Sequence, residues 1–250
     1  GTRQDRMGYR QDAQWFVQKE KVNSVTYNSD CLASMRAMPD KAFDLAIVDP
    51  PFGWGDEMFL NRPTSSKREN KLGIKYAHRV WNDDPPTPEY FTELFRVSVN
   101  QIVWGGNYFT LPVSRGWIFW DKQFEFTHTF SAGELAWTSF DKILKKFTLS
   151  SKAETNGGID KIHINQKPVA LYKWLLTNYA KQGDTILDTH LGSGSSRIAA
   201  YDLGFDFTAF ELDHDYWLAQ EERFARHIAQ PQLFEIPRAE PIQEAMFAAA

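Results

Sequence analysis

Cysteine is nearly absent: Cys31 stands alone among 250 residues. One thiol excludes an internal disulfide and a cysteine-rich zinc site, and it fits a reducing cytoplasm. Long apolar runs are missing too, so no membrane-crossing helix is expected. The polar opening, GTRQDRMGYRQDAQ, has none of the apolar centre of a secretory leader. The six histidines are scattered, without the close His/Glu spacing of a helical metal site, so no metal is expected. An excess of positive charge is also lacking, the net charge being −4. That total hides a split. Residues 60–80 hold Arg62, Lys67, Arg68, Lys71, Lys75 and Arg79 against Glu69 alone, whereas ten acids face three arginines from Asp202 onward. A basic loop and an acidic back point to a nucleic-acid contact at the loop.

What is present reads as alternating strands and helices. Short strands are expected at Val25–Asn28, Phe43–Val48, QIVWGG, GWIFWDK, ELAWTSF, TILD (185–188) and FTAFEL (207–212), from their apolar and aromatic runs. Helices are expected over Leu32–Met38, Pro88–Val99 and Pro168–Ala180, from the glycine loop through Ala200, and from His214. Residues 53–88 read as a long loop, a length that in compact domains usually serves function. Residues 141–160 read as polar and irregular. Strand–helix alternation implies an α/β fold with a mostly parallel, doubly wound sheet.

Two stretches carry chemistry. In LDTHLGSGSSRIAA, Gly192 and Gly194 sit between a strand and a helix, where backbone approaches a ligand closely. Glu211 ends the next strand, where an acid can accept both hydroxyl hydrogens of a ribose. The third glycine of the dinucleotide fingerprint is missing, Arg197 standing there, so this loop alone leaves a nucleotide-dependent oxidoreductase open. Only one strand follows it, so the sheet must be completed from the N-terminal half. TILD and FDLAIV can then be neighbours, with their carboxyl ends on one crevice. The second stretch, Asp49-Pro50-Pro51-Phe52, ends a strand on two fixed φ angles. Asp49 and the Pro50 carbonyl can accept the two hydrogens of a planar amine such as adenine N6, while Phe52 stacks on its ring. Trp54, Tyr108 and Trp120 follow strand ends and are further candidates for base stacking.

These motifs resemble the β-class DNA amino-methyltransferases, close to phage- and prophage-type adenine enzymes, over roughly Val25 to Phe224. DPPF is similar to that family's catalytic motif, and Asp in first place implies the N6-adenine members over the N4-cytosine ones. HINQKP resembles the family's HPTQKP and implies that His163, Gln166, Lys167 and Pro168 border the cofactor. LDTHLGSGSS resembles LDPFAGSGT and implies the same for Asp188, Gly192, Ser193, Gly194 and Ser195. FELD resembles the ribose-holding strand, with Glu211 and Asp213. NSDCL resembles the segment whose acid, here Asp30, meets the cofactor adenine. IVWGGNYF, with Asn107 and Tyr108, resembles the border of the target pocket.

The resemblance implies S-adenosylmethionine as methyl donor, DNA as substrate, a base flipped out of the stack, a class I methyltransferase fold of circularly permuted motif order, and a possible homodimer. Residues 22–230 are expected to form one catalytic domain between extensions at 1–21 and 231–250, with 53–88 contacting DNA. Residues 141–162 would be a target-recognition region of only 22 residues, which implies a short or loose recognition sequence. N4-cytosine methylation, and an inactive DNA-binding subunit, stay open at this point. Cys31 lacks the Pro-Cys context of the C5-cytosine enzymes.

Overall fold

The computed structural model describes residues 22–53, 85–123, 131–150, 153–154, 161–163 and 165–230. In chain order the elements are β1 (Ser24–Tyr27), α1 (Cys31–Arg36), β2 (Phe43–Val48), α2 (Pro88–Val97), β3 (Ser98–Trp104), β4 (Trp117–Asp121), β5 (Gly133–Thr138), β6 (Lys145–Thr148), α3 (Val169–Tyr179), β7 (Thr185–Asp188), α4 (Ser195–Leu203), β8 (Asp206–Phe210) and α5 (His214–Ala229). The eight strands form one sheet in the order β1-β8-β7-β2-β3-β5-β4-β6. All neighbouring pairs are parallel except β3–β5 and β4–β5.

The central strand β2 shows why its sequence lacks polar alternation. Successive side chains point to opposite faces, and both faces are covered. Leu45 and Ile47 join Ile102, Trp104 and Ile186 under α3 and α4, against Leu171, Leu175, Ala199 and Ala200. Ala46 and Val48 join Val103 and Leu187 under α1 and α2, against Met35, Tyr90, Leu94 and Val97. Burial of each large apolar side chain contributes about 1.5–3 kcal/mol. Helix α2 starts on Pro88, with the Thr87 side chain accepting from the Tyr90 amide, as a proline in the first turn allows.

The expected neighbours are confirmed: Leu45 pairs with Ile186 and Ala46 with Leu187. From β7 the sheet grows one way through β8 to β1, and from β2 the other way through β3. The order reverses between β7 and β2, which opens a crevice beyond their carboxyl ends.

Three expectations need correction. Residues 145–148 are strand β6, paired in parallel with β4 from Ile118 to Asp121; the polar sequence KKFT conceals an edge strand, where one face meets water. Pro168 precedes α3 as its extended N-cap residue. Trp120 is 2% exposed and donates to the Leu149 carbonyl at 2.8 Å, so it is core and not a stacking platform. Arg62, Lys67, Arg68, Lys71, Lys75, Arg79 and Trp54 lie outside the described residues, as do most of 53–88, much of 151–160 and both extensions. Among the described residues no helix is long and apolar enough to cross a membrane.

Candidate active site

The wall at the end of β2 is charged. Asp49 leaves the strand and its Oδ2 accepts from the Lys167 ammonium. The Lys167 side chain is only 3% exposed, and its Nζ also lies 3.1 Å from Glu134 Oε2. Glu134, on β5, takes a second cation at Oε1, Lys122 just past β4, at 2.5 Å. Two carboxylates thus share two ammonium groups across four segments of chain. Burial raises Asp49 above the usual carboxylate range, Lys167 pulling it back and Glu134 adding to the rise. Burial works to lower Lys167, but attraction to Asp49 and Glu134 wins and raises it. Glu134 is buried too, yet Lys167 and Lys122 hold it well below its ordinary value.

Within this cluster two buried polar atoms have no hydrogen bond among the described residues, Asp49 Oδ1 and Trp104 Nε1, while Glu134 Oε2 has the Lys167 ammonium as its ion-pair partner. The Lys167 ammonium stands 5.3 Å from the centroid of the Trp104 ring. Native interiors leave few such atoms, and each costs about 1–3 kcal/mol. Their concentration here marks a place built to receive polar groups.

Pro50 is buried and Pro51 partly so. Phe52 packs on Tyr108, with ring centroids 5.0 Å apart, and on Phe109 at 6.1 Å. Its ring lies directly over Gly105, where a Cβ would fall 2.1 Å from it. Gly105 also has φ of 66°, a conformation that disfavours side chains. Gly105 is therefore the seat of Phe52, while a Cβ on Gly106 would meet Trp137. Asn107 and Tyr108 follow in an exposed single 3-10 turn, Tyr108 being 46% exposed.

The opposite wall is formed by the ends of β7 and β8. Asp188, 2% exposed, accepts from the His190 amide at 3.0 Å and from Ser196 Oγ at 2.5 Å, which folds the loop back on α4. Burial pushes Asp188 up to about 6. Gly192 and Gly194 have φ of 52° and 73°. The Gly192 amide donates to Glu211 Oε2 at 2.7 Å, and the Asp213 amide to Oε1 at 2.9 Å. Burial pushes Glu211 up to about 7 against those two bonds. Ser193 and Ser195 are buried, their carbonyl and hydroxyl accepting from Arg223 at 2.7 and 2.9 Å. His163 stands edge-on to Tyr216, centroids 4.4 Å apart, and 3.6 Å from where a Cβ on Gly192 would be. Gln166 braces its own turn by accepting from the Ile162 amide.

The expected site residues that are described lie at or beyond the carboxyl ends of β1, β2, β3, β7 and β8 or on the segment just before α3, with informative differences. Lys167, expected at the cofactor, pairs with Asp49. Asp30 is exposed and caps α1 through the Leu32 amide at 3.0 Å, and Asp213 caps α5. Arg197, standing where a third glycine was sought, ties α4 to Ser24, Gln220 and Glu221 and covers the Phe224 ring. Cys31 is buried, and burial pushes its thiol up to about 12, so it is no nucleophile. The sequence reading missed Glu134, Lys122 and Trp104, whose only signal was that GELAW, WDK and VWGG end or begin on one rim. It also missed Glu154, which accepts from the Val169 and Ala170 amides at the start of α3. Among the described residues no cluster of His, Cys, Asp and Glu is placed to hold a metal ion.

A doubly wound sheet with a glycine loop, a buried acid at the end of the next strand and an acid-proline row across the switch point defines an α/β protein of the nucleotide-cofactor type. Comparison with known proteins gives the family. Residues 56–222 match the N6_N4_Mtase family, described as DNA methylase, and the chain belongs to that family. Its fold is similar to that of M1.HpyAVI solved with SAM, with a TM-score of 0.54 and 15% identity over 81% of this chain and 100% of that one. It is also similar to the PvuII DNA methyltransferase, titled cytosine-N4-specific, with a TM-score of 0.51 and 14% identity over 85% of this chain and 89% of that one.

Proposed function

We propose that this protein transfers a methyl group from S-adenosylmethionine to N6 of adenine in DNA. The observation that carries the reading is the buried Asp49 Oδ1, which has no hydrogen bond among the described residues and lies at the sheet's switch point. The family match begins at residue 56, beyond the Asp49–Phe52 row, so the role of that row rests on its geometry.

The cofactor supplies an electrophilic methyl carbon on a sulfonium; as the new C–N bond forms, the old C–S pair returns to sulfur. The residues present fit such a group. Glu211 offers two oxygens to a ribose diol, in exchange for or beside the Gly192 and Asp213 amides that hold them. Gly192 and Gly194 let the backbone pass close to the methionine portion. On the facing wall, Asp49 Oδ1 and the Pro50 carbonyl accept the two hydrogens of the target amine. Holding both in fixed directions turns the nitrogen lone pair toward the donor, which is catalysis by positioning and preorganised charge. Phe52, seated on Gly105, meets the face of the base, and Asn107 and Tyr108 stand at the rim. The proton that becomes surplus on nitrogen leaves through Asp49 Oδ1, whose raised pKa suits that step. Asp, with a full negative charge, supports adenine as the target by its resemblance to the N6 members. The basic residues between Arg62 and Arg79 would track phosphates, and 22–230 would be the catalytic domain.

The reading is tested by digesting DNA incubated with protein and cofactor and analysing its nucleosides by mass spectrometry. N6-methyladenine is expected. N4-methylcytosine in its place would transfer the same clamp to cytosine, and no methylated base would defeat the reading.

A further inference from the structure

The pairing of Lys167 with Asp49 divides the work of one carboxylate. Both oxygens of a free aspartate are equivalent, and rotation about χ2 would exchange them. Here Oδ2 is held by an ammonium that is itself nearly sealed from water, while Oδ1 has no hydrogen bond among the described residues. Lys167 is fixed from the far side by Glu134 at 3.1 Å, with Lys122 balancing Glu134's charge. The residue comes from the segment just before α3, where Pro168 holds the chain extended and the two Glu154 oxygens tie down the first amides of the helix.

Resting on the reading of Asp49 as the amine acceptor, we propose that Lys167, backed by Glu134 and Lys122, is a positioning residue that engages Asp49 Oδ2 and so presents Oδ1, in its charged form, to the exocyclic amine. Glu134 has the complementary task. By sharing Lys167 it prevents the cation from quenching Asp49, so that Oδ1 remains a strong acceptor. A carboxylate buried in this way without Lys167 would protonate, and a protonated Oδ1 would donate where it must accept.

The groups facing Asp49 are Lys167, Glu134 from β5, Lys122 beyond β4, Asp188 at the end of β7, the Tyr172 hydroxyl on α3 and the Tyr90 hydroxyl on α2. Lys167 lowers the pKa of Asp49 and Glu134 raises it. The two therefore move the acid limb of the pH–rate profile in opposite directions. Single-turnover methyl transfer from labelled S-adenosylmethionine to DNA is measured from pH 5 to pH 9, alongside cofactor dissociation constants, for Lys167→Met, Lys167→Arg and Glu134→Gln. Lys167→Met should lose about a hundredfold or more in rate and move the acid limb to higher pH, with the cofactor constant changed less than threefold. Lys167→Arg should recover part of the rate, and Glu134→Gln should move the limb to lower pH.

A wild-type rate and profile in Lys167→Met would overturn the proposal. So would a loss confined to cofactor affinity, which would put Lys167 at the cofactor. Should Lys167→Met fail to fold, an unmoved acid limb in Glu134→Gln overturns it alone. Asp49→Ala in the same assay separates the two levels: transfer retained there defeats the amine-acceptor reading itself, whereas a silent Asp49→Ala beside an unaffected Lys167→Met defeats only the positioning role.

Discussion

The two walls of the crevice treat their buried polar atoms in opposite ways. On the β7–β8 side the acids are satisfied from within: Asp188 accepts from His190 and Ser196, and Glu211 from Gly192 and Asp213. On the β2–β3–β5 side, Asp49 and Trp104 each keep one buried atom without a hydrogen bond among the described residues. A wall closed on itself holds its shape without a ligand but must exchange bonds to admit one. A wall with open valences is already arranged for its partner and carries the energetic penalty of waiting. On the proposed function, the first would serve a cofactor present throughout and the second a base that arrives and leaves.

The contrast breaks most completely at Asp49. Asp49→Ala should lower methyl transfer by about a thousandfold or more while the cofactor, on the other wall, binds as before; side-by-side rate and calorimetric measurements check both halves. Gly105→Ala should come next. Its Cβ would meet the Phe52 ring at 2.1 Å, and a displaced ring should reduce transfer by about a hundredfold, again with unchanged cofactor affinity.

On the closed wall, Glu211→Gln should weaken the cofactor by about 1.5–3 kcal/mol, read as a rise in its dissociation constant. The same residue sets a pH dependence. A carboxyl that titrates at about 7 must ionise to accept two hydroxyls, so affinity should fall as pH drops below about 7, by at most about tenfold per unit. That slope should vanish in Glu211→Gln. The smallest effect belongs to Tyr90→Phe, whose buried hydroxyl shares a 2.6 Å hydrogen bond with Thr189. Thr189 still keeps His190 Nδ1, so stability should drop by about 1 kcal/mol in urea unfolding, with the transfer rate unaffected.

The sequence made the closed wall far more legible than the open one. Gly192, Gly194 and Glu211 belong to consecutive elements, and their spacing alone predicts that they meet. The neighbouring of β2 and β7 also followed from simple counting, since one strand after the glycine loop cannot complete a sheet. The open wall draws on residues scattered over more than a hundred positions. Asp49, Glu134 and Lys167 share no periodicity; only the antiparallel placement of β5 beside β3 brings Glu134 to the rim. Lys167 was expected at the cofactor because HINQKP sits beside it in the resemblance, and nothing in the sequence links it to Asp49, on which its almost sealed side chain closes. β6 was missed for the opposite reason: an edge strand with exposed lysines has no apolar alternation to read.

The account stands on the two walls serving one reaction, and a crystal structure with S-adenosylhomocysteine tests that most directly. The ribose hydroxyls should fall on Glu211, and the sulfur should face Asp49 Oδ1 with room for one amine between them, Lys167 still holding Oδ2. A product molecule seated away from Glu211, or with its sulfur turned from Asp49, would contradict it.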